Sequence, residues 1–247
     1  LCIAVDALGA DVVRAVMMPY HYTSEMSRTD AAEQARRLGV DYDVISIEPI
    51  VTASLQQLEP AFRGTEPDAS EENIQSRARC MLLMALSNKS GRMLLTTGNK
   101  SEMAVGYATL YGDMAGGFAP SKDCSKSQVF ALADWRNSRS PDHPPIPQRV
   151  IDRPPSAELR PDQEDTDSLP PYDVLDPILE GFVERDLSVN DLVAQGFDQE
   201  TVVRVLSLVR RNEYKRRQAP PGVRVSSRAF GRDWRYPITS GYHFPSD

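Results

Sequence analysis

The chain has 247 residues, of which 40% are hydrophobic, and a formal net charge of -7 at pH 7. This composition predicts a folded protein, and the acidic balance argues against nucleic-acid binding, which needs clustered basic surface. The three cysteines are widely spaced and form no Cys-x-x-Cys pair, and no apolar run approaches the roughly 18 residues of a membrane-spanning helix. We therefore expect a cytoplasmic protein that binds neither nucleic acid nor membrane.

The first residues predict the end of a helix. Leu1 to Leu8 are mostly apolar and Gly9 follows them, but no capping residue precedes them. We expect that the chain begins inside a structural element and that an upstream segment is missing.

Strands and helices then alternate. Val12 to Met18 predicts a buried strand, Arg28 to Leu38 a helix that ends at Gly39, and Tyr42 to Ile47 a second strand that ends before Pro49. A helix with Ser70 as its N-cap should run to about Lys89, and Met93 to Thr96 predicts a third strand. The side of the helix after Ser70 that is expected to face the core comprises Ile74, Ala78, Met81, Leu82, Ala85 and Leu86. Alternation of this kind indicates parallel βαβ units in an α/β fold, with a sheet that is covered on both faces.

The last third of the chain has a different character. Residues 140–171 are rich in proline and acidic side chains, and a loop of this length is usually functional or disordered. Three helices should follow. The first runs from about Val174 to Glu184, the second begins after Ser188, which forms a capping box with Asp191, and the third runs from Asp198 to Arg217. The last helix should bury Val202, Val205, Leu206 and Val209.

The segment from Leu94 to Glu102 is an apolar strand followed by small and polar residues and then a helix. Open α/β sheets bind their ligands at this position, outside the carboxyl ends of the strands. Alternatively the segment is only a turn, with a positive φ at Gly98 and Asn99 or Ser101 as N-cap.

Two further positions have competing interpretations. Lys126 begins a predicted helix. The positive end of the helix dipole disfavours a cation there unless an anion is also present, so this position favours an anion-binding role for Lys126. Asn73 and Arg77 are four residues apart and share one helix face, which is either a binding face or simply solvated. The basic cluster from Arg210 to Arg217 is mostly explained by the dipole of its helix.

The run Thr97-Gly98-Asn99-Lys100-Ser101-Glu102, with residues 106–120 after it, resembles NAD synthetases. The sequence Met114-Ala115-Gly116-Gly117-Phe118 is more similar to the synthetase half of the large glutamine-dependent enzymes than to the short ammonia-dependent ones. Further matches follow in order at residues 72–77, 153–161, 169–173 and 211–216, so the resemblance spans almost the whole chain.

The resemblance implies one domain over residues 1–247, with a Rossmann-like adenine nucleotide alpha hydrolase (N-type ATP pyrophosphatase) fold, a parallel sheet and a helical C-terminal part. It implies ATP-dependent adenylation of the nicotinate carboxylate of deamido-NAD, release of pyrophosphate, and displacement of AMP by ammonia to form NAD. The expected co-substrate is ATP, the expected metal is Mg²⁺, and the expected assembly is a homo-oligomer built on a synthetase dimer.

The resemblance also implies roles for individual residues. Lys126, which would contact the phosphates, and Glu102 are the implied catalytic residues. The implied ATP-binding residues are Thr97, Lys126 and Ser156. The implied deamido-NAD-binding residues are Asn73, Arg77, Glu102, Tyr107, Leu110 and Lys215, with Glu102 also an Mg²⁺ ligand. Residues 140–171 would be a flap that covers the reactive intermediate.

Two expected parts of the family are absent from this sequence. The family binds pyrophosphate on a Ser-Gly-Gly-x-Asp-Ser loop ahead of the helix that remains as Leu1 to Leu8, and it takes ammonia from a glutaminase domain with a Glu, Lys and Cys triad. We therefore expect the chain to be truncated at its N-terminus, to depend on ammonia from elsewhere and to be inactive alone. The alternatives are another ATP pyrophosphatase, such as a GMP synthetase, and a non-catalytic assembly fragment.

Overall fold

The computed structural model describes residues 1–242 and 244, which form two compact units. The first unit comprises residues 1–82 and 130–168, and the second comprises residues 83–129 and 169–247. Among the described residues, no helix is both long enough and apolar enough to cross a membrane.

The first unit contains a two-stranded parallel sheet. The chain runs through α1 (Cys2–Leu8), β1 (Arg14–Met17), α2 (Glu25–Leu38) and β2 (Asp41–Val44), and Arg14 pairs with Asp41 at the start of the register. Gly9, with φ 90°, ends α1, and Gly39, with φ 67°, ends α2 in the left-handed conformation. Both strands and both helix ends were predicted, but β1 and β2 are only partly buried, so the expectation of a sheet covered on both faces is wrong.

A helix that the sequence analysis missed follows β2. It is α3 (Glu48–Phe62), and Pro49 lies in its first turn. Proline is tolerated there because the N–H groups of the first turn have no hydrogen-bond partner within the helix, so the missing N–H costs nothing. Its buried Val51 packs with Ile47, Tyr20 and Ala78 in the core of the first unit. Pro49 thus belongs to the start of a helix, and the strand predicted to run to Ile47 ends at Val44.

The next helix, α4 (Ala69–Ser90), corrects two predictions. Ser70 lies inside it, and the Asp68 carboxylate accepts the Ser70 N–H at 2.7 Å, so Asp68 and not Ser70 supports the helix start. Ile74, Ala78 and Leu82 pack in the core as predicted. Met81 and Ala85 are exposed, because only one narrow side of this long helix is covered.

The predicted third strand does not join the sheet. Leu95 instead forms an isolated parallel bridge with Phe118, in which Thr96 N–H donates to the Phe118 carbonyl at 2.9 Å and Gly117 N–H to the Leu94 carbonyl at 2.8 Å. A Cβ at Gly116 would lie 2.7 Å from Thr96 Cγ2, so glycine is needed for this close approach. Leu95 therefore pairs with a separate, glycine-containing segment that includes Gly116 and Phe118.

Helices separated by loops follow in the rest of the described chain. The bounds are α5 (Lys100–Val105), α6 (Lys126–Ser138), α7 (Gln148–Asp152), α8 (Tyr172–Leu179), α9 (Val189–Ala194), α10 (Gln199–Arg211) and α11 (Glu213–Arg216). A π-helical turn over Glu180–Glu184 continues α8, and the predicted capping box of Ser188 and Asp191 starts α9. The loop 140–171 is not structureless, because it contains α7 and a 3-10 turn at Asp165–Asp167.

The core of the second unit is built largely from α8 to α10. The four predicted side chains of α10, Val202, Val205, Leu206 and Val209, are all fully buried. The predicted single helix over 198–217 is divided at Asn212, whose side chain amide donates to the carbonyls of Val105 and Leu208, both at 2.8 Å. This contact with α5 places α11 and its basic residues beside the loop that follows α5.

Candidate functional site

The start of α5 fixes the Glu102 carboxylate. Asn99 is the N-cap, and its side chain oxygen accepts the Glu102 N–H at 2.9 Å, while Glu102 reaches back to the Asn99 N–H at 3.4 Å. These two bonds form a reciprocal capping box, and Asn99 was one of the two predicted N-caps. Gly98 does not adopt the positive φ that the turn interpretation expected, because the bend is made by the capping box itself.

Lys126 and Glu102 form an ion pair in the second unit. Lys126 begins α6 as predicted, and its Nζ lies 2.9 Å from Glu102 Oε1. The Nζ atom is also 5.2 Å from the centroid of the Tyr172 ring. The two charged side chains are 17% and 19% exposed, so the pair is reachable from solvent. The structure therefore brings together the two residues that were predicted to be catalytic.

A small cavity adjoins this ion pair. Its wall includes Thr96, Gly98, Glu102, Ala108, Asp113 and Lys122. The remaining lining residues are mainly apolar. Glu102 therefore belongs both to the ion pair and to the wall of the cavity.

Two lysines hold the loops around the cavity. Lys215 Nζ donates to the carbonyls of Gly106 and Ala108, both at 2.7 Å, and Lys122 Nζ donates to the Pro220 carbonyl at 2.7 Å. Burial lowers the pKa of Lys215 and of Lys122, and the nearby charges of Asp113 and Asp123, respectively, partly oppose this shift. Lys215, a predicted ligand-binding residue, thus lies at the loop of the site, where it already has two backbone acceptors.

Gly106 is required at the end of α5. Its φ is 75°, and a Cβ added there would lie 2.1 Å from Cγ of Asn212. The position therefore excludes other residues both by conformation and by space.

The other predicted residues of the second unit have varied surroundings. Thr97 is exposed, whereas its neighbour Thr96 lines the cavity. Tyr107 packs against the hydrophobic core, and Leu110 is half-buried in the loop that follows.

Three predicted residues belong to the first unit. Asn73 is half-buried and Arg77 is exposed, both on α4. Ser156 is exposed, and its hydroxyl accepts the Glu158 N–H at 3.0 Å. The Glu158 carboxylate in turn accepts the hydroxyls of Ser24 and Ser27 at 2.8 and 2.6 Å.

Sequence reasoning missed a buried charged cluster at the first residue of α5. Lys100 Nζ lies 2.8 Å from Glu184 Oε1 and 3.1 Å from Asp123 Oδ1, and it donates to Ser226 Oγ at 2.6 Å. Burial by itself would raise the pKa of both carboxyls, but hydrogen bonds from residues 225–227 and the Lys100 charge outweigh it and lower both pKa values. These contacts make Lys100 a structural residue.

Part of the basic cluster near α11 has a structural role that the helix dipole does not explain. Arg216 is 4% exposed, pairs with the buried Glu213 at 3.0 Å and donates to the Ala104 carbonyl at 2.7 Å. Burial lowers the pKa of Arg216, and the Glu213 carboxylate partly offsets this. Arg216 therefore ties α11 to α5.

A family model described as NAD synthase matches residues 1–219. The chain belongs to the NAD synthase family. This membership agrees with the predicted resemblance and favours it over a GMP synthetase. The fold is accordingly the α/β adenine nucleotide alpha hydrolase type, with a parallel sheet and predominantly helical structure.

The chain matches part of several longer glutamine-dependent enzymes. The chain is 60% identical to the glutamine-dependent NAD(+) synthetase of Acinetobacter baylyi over 247 residues, all of this chain and 45% of the relative. A solved glutamine-dependent NAD+ synthetase of Acinetobacter baumannii in complex with ADP is 55% identical, with a TM-score of 0.62 over 99% of this chain and 44% of that one. An NMN synthetase of Francisella tularensis is 27% identical, with a TM-score of 0.66 over 82% of this chain and 75% of that one. The chain therefore spans somewhat less than half the length of these glutamine-dependent relatives.

Proposed function

We propose that the protein catalyses ATP-dependent amidation of deamido-NAD to NAD, with ammonia from glutamine. The observation that carries this proposal is the solvent-reachable pair of Lys126 and Glu102, 2.9 Å apart beside a cavity, in a chain that belongs to the NAD synthase family. One member of the pair suits phosphate and the other suits a metal ion, so a single site offers both charges that phosphate transfer requires.

In the first step a nicotinate carboxylate oxygen attacks the α-phosphorus of ATP, and the bond to pyrophosphate breaks. Negative charge then accumulates on the leaving oxygens, and Lys126 Nζ is the group that we propose stabilises it. In the second step the nitrogen of ammonia attacks the acyl carbon, the bond to AMP breaks and the nitrogen loses a proton. This sequence yields the amide, AMP and pyrophosphate.

Glu102 is the proposed protein ligand for Mg²⁺. Mg²⁺ sites in phosphate-transfer enzymes typically combine one or two carboxylates with substrate phosphates, and the described residues contain no group of three or more potential metal ligands. A shared site of Glu102 and phosphate oxygens fits that pattern, and the bound ion would neutralise phosphate charge.

The remaining binding roles rest on the family resemblance. We propose that Thr97 and Ser156 contact ATP, and that Asn73, Arg77, Tyr107, Leu110 and Lys215 contact deamido-NAD. The loop 140–171 would close over the acyl-adenylate and exclude water. Its hydrogen bonds through Glu158 to Ser24 and Ser27 hold this part of the loop at a defined place in the first unit.

Location and assembly are also part of the proposal. We expect a cytoplasmic homo-oligomer built on a synthetase dimer. The three cysteines are an odd number and widely spaced in the sequence, which suits a reducing compartment, and α6 exposes Leu132 and Trp135, which suits a subunit contact.

The test is a product balance with the full-length protein. With deamido-NAD, ATP, Mg²⁺ and either ammonium or glutamine, NAD, AMP and pyrophosphate should form in equal amounts. Nicotinate mononucleotide and xanthosine monophosphate should react much more slowly. Formation of ADP, preference for either control substrate, or an absence of heat on calorimetric titration with deamido-NAD would contradict the proposal, and the last result would favour an assembly role.

A further inference from the structure

The backbone at the start of α6 is held by a buried carboxylate on α8. Asp176 is 8% exposed, and one of its oxygens accepts the Ser127 N–H at 2.8 Å. Its other oxygen accepts the Ser101 hydroxyl, and that hydroxyl itself accepts the Lys126 N–H at 2.9 Å. The first two N–H groups of α6 are therefore bound directly or through one hydroxyl to Asp176.

This arrangement resolves the charge conflict at Lys126. The positive end of a helix dipole disfavours a lysine, and a negative charge within the first turn compensates. Glu102 compensates at the ammonium group, whereas Asp176 compensates at the backbone. Asp176 accepts hydrogen bonds from the Ser127 N–H and from the Ser101 hydroxyl, so it can influence Lys126 through the backbone of α6.

The same helix also contacts the other end of the Lys126 side chain. Tyr172 and Asp176 are four residues apart on α8 and therefore share one face. The Tyr172 ring lies 5.2 Å from Lys126 Nζ, and Leu175 and Ile178 anchor α8 in the core with no exposed surface. One helix thus contacts the Lys126 ammonium group through Tyr172 and is linked to the Lys126 N–H through Asp176 and the Ser101 hydroxyl.

We propose that Asp176, through Ser101 and the first turn of α6, is a positioning residue that aims Lys126 at the phosphates of ATP. This inference rests on the proposed function. Asp176 does not contact the substrate; it fixes the direction from which the Lys126 side chain leaves its helix, while Tyr172 limits the path of the ammonium group.

Asp176→Asn tests this role in the full-length protein. Asparagine can accept the Ser127 N–H and donate to the Ser101 hydroxyl, so the fold should persist while the compensating charge is lost. Pyrophosphate release without ammonia should slow by on the order of 10- to 100-fold, by analogy with displaced catalytic groups, while the KM for deamido-NAD stays nearly constant. Asp173→Asn is the matched control, because Asp173 is exposed in the first turn of the same helix.

A double-mutant cycle separates positioning from general support of the fold. In a Lys126→Ala background, Asp176→Asn should cause no further loss, because no ammonium group remains to be aimed. If Asp176→Asn does not fold, Ser101→Ala, which keeps the bond from Asp176 to Ser127, should show the same dependence on Lys126. Additive losses, or wild-type rates in the folded variant, would overturn the inference. A Lys126→Ala protein with normal pyrophosphate release would instead overturn the proposed function.

Discussion

Two lysine–carboxylate sites lie near opposite sides of the short helix α5, and they differ in how completely each lysine is surrounded. Lys100 is 7% exposed and contacts Asp123, Glu184, Ser226 and the Arg228 carbonyl. Lys126 forms an ion pair with Glu102, and both side chains remain partly exposed. The first lysine is enclosed by the protein, whereas we propose that the second exchanges Glu102 for a phosphate. Burial, more than charge, distinguishes the structural lysine from the proposed catalytic one.

The largest effect on stability should come from Lys100→Met. It leaves the buried Asp123 and the half-buried Glu184 without their shared cation, and breaking a buried ion pair such as that of Asp123 costs about 3–5 kcal/mol. Urea unfolding should show this loss in the free energy of unfolding. Lys89→Met, at an exposed position near the end of α4, should change it by less than about 0.5 kcal/mol. Equal stability of the two variants would remove the distinction between the two lysine sites.

Lys126→Ala should affect the reaction more than the fold. Removal of one charge-stabilising donor costs about 3–4 kcal/mol of transition-state stabilisation, so adenylation should slow by about two to three orders of magnitude. The free energy of unfolding should change by less than about 1 kcal/mol, because the pair is partly exposed. Pyrophosphate release without ammonia measures the first effect and urea unfolding the second, with Lys89→Ala as the control. An unchanged rate would make Lys126 an ordinary surface lysine.

Glu102→Gln should produce a smaller and metal-dependent effect. The amide keeps volume and hydrogen bonding at the start of α5 but removes the charge that we propose binds Mg²⁺. Turnover should fall by about tenfold, equivalent to about 1.4 kcal/mol, and the Mg²⁺ concentration for half-maximal rate should rise. The melting temperature should hardly change. A lower melting temperature with unaltered Mg²⁺ dependence would show that Glu102 is only a helix cap.

The smallest effect should appear in the acid range. The lowered carboxyl pKa values of Asp123 and Glu184 contribute stability that is present above their ordinary pKa values and is lost as the pH falls through the lowered ones. Asp123→Asn should be less stable than wild type at neutral pH but lose less stability on acidification. Asp142→Asn, at an exposed position, should follow the wild-type curve. Parallel acid curves for Asp123→Asn and wild type would contradict this assignment.

Local features were predictable from the sequence, and pairings between distant segments were not. Gly39 as a helix end, the Ser188 capping box and the buried stripe of α10 each depend on residues within a few positions. The missed third-strand pairing depends on Gly116 allowing close approach to Thr96, a contact between separate segments.

The candidate site shows the same division. Lys126 could be predicted as a site residue because a lysine at the start of a helix is disfavoured by the helix dipole, and Glu102 could be predicted from the family motifs. Asp176 and the Lys100 cluster were not visible, because their partners lie on different helices and loops and no short motif joins them. Only the folded arrangement distinguishes Lys100 from Lys126.

The most direct test is the chemical reactivity of individual lysines in the full-length protein. Reductive methylation with isotopic formaldehyde, followed by mass spectrometry, reports each amine with and without ATP, Mg²⁺ and deamido-NAD, ammonia being omitted. Lys126 should react without ligands and be protected when they bind, Lys100 should react slowly in both states, and exposed Lys89 should react quickly in both. Equal labelling of Lys126 in the two states would contradict the claim that its ammonium group exchanges Glu102 for the phosphates of ATP.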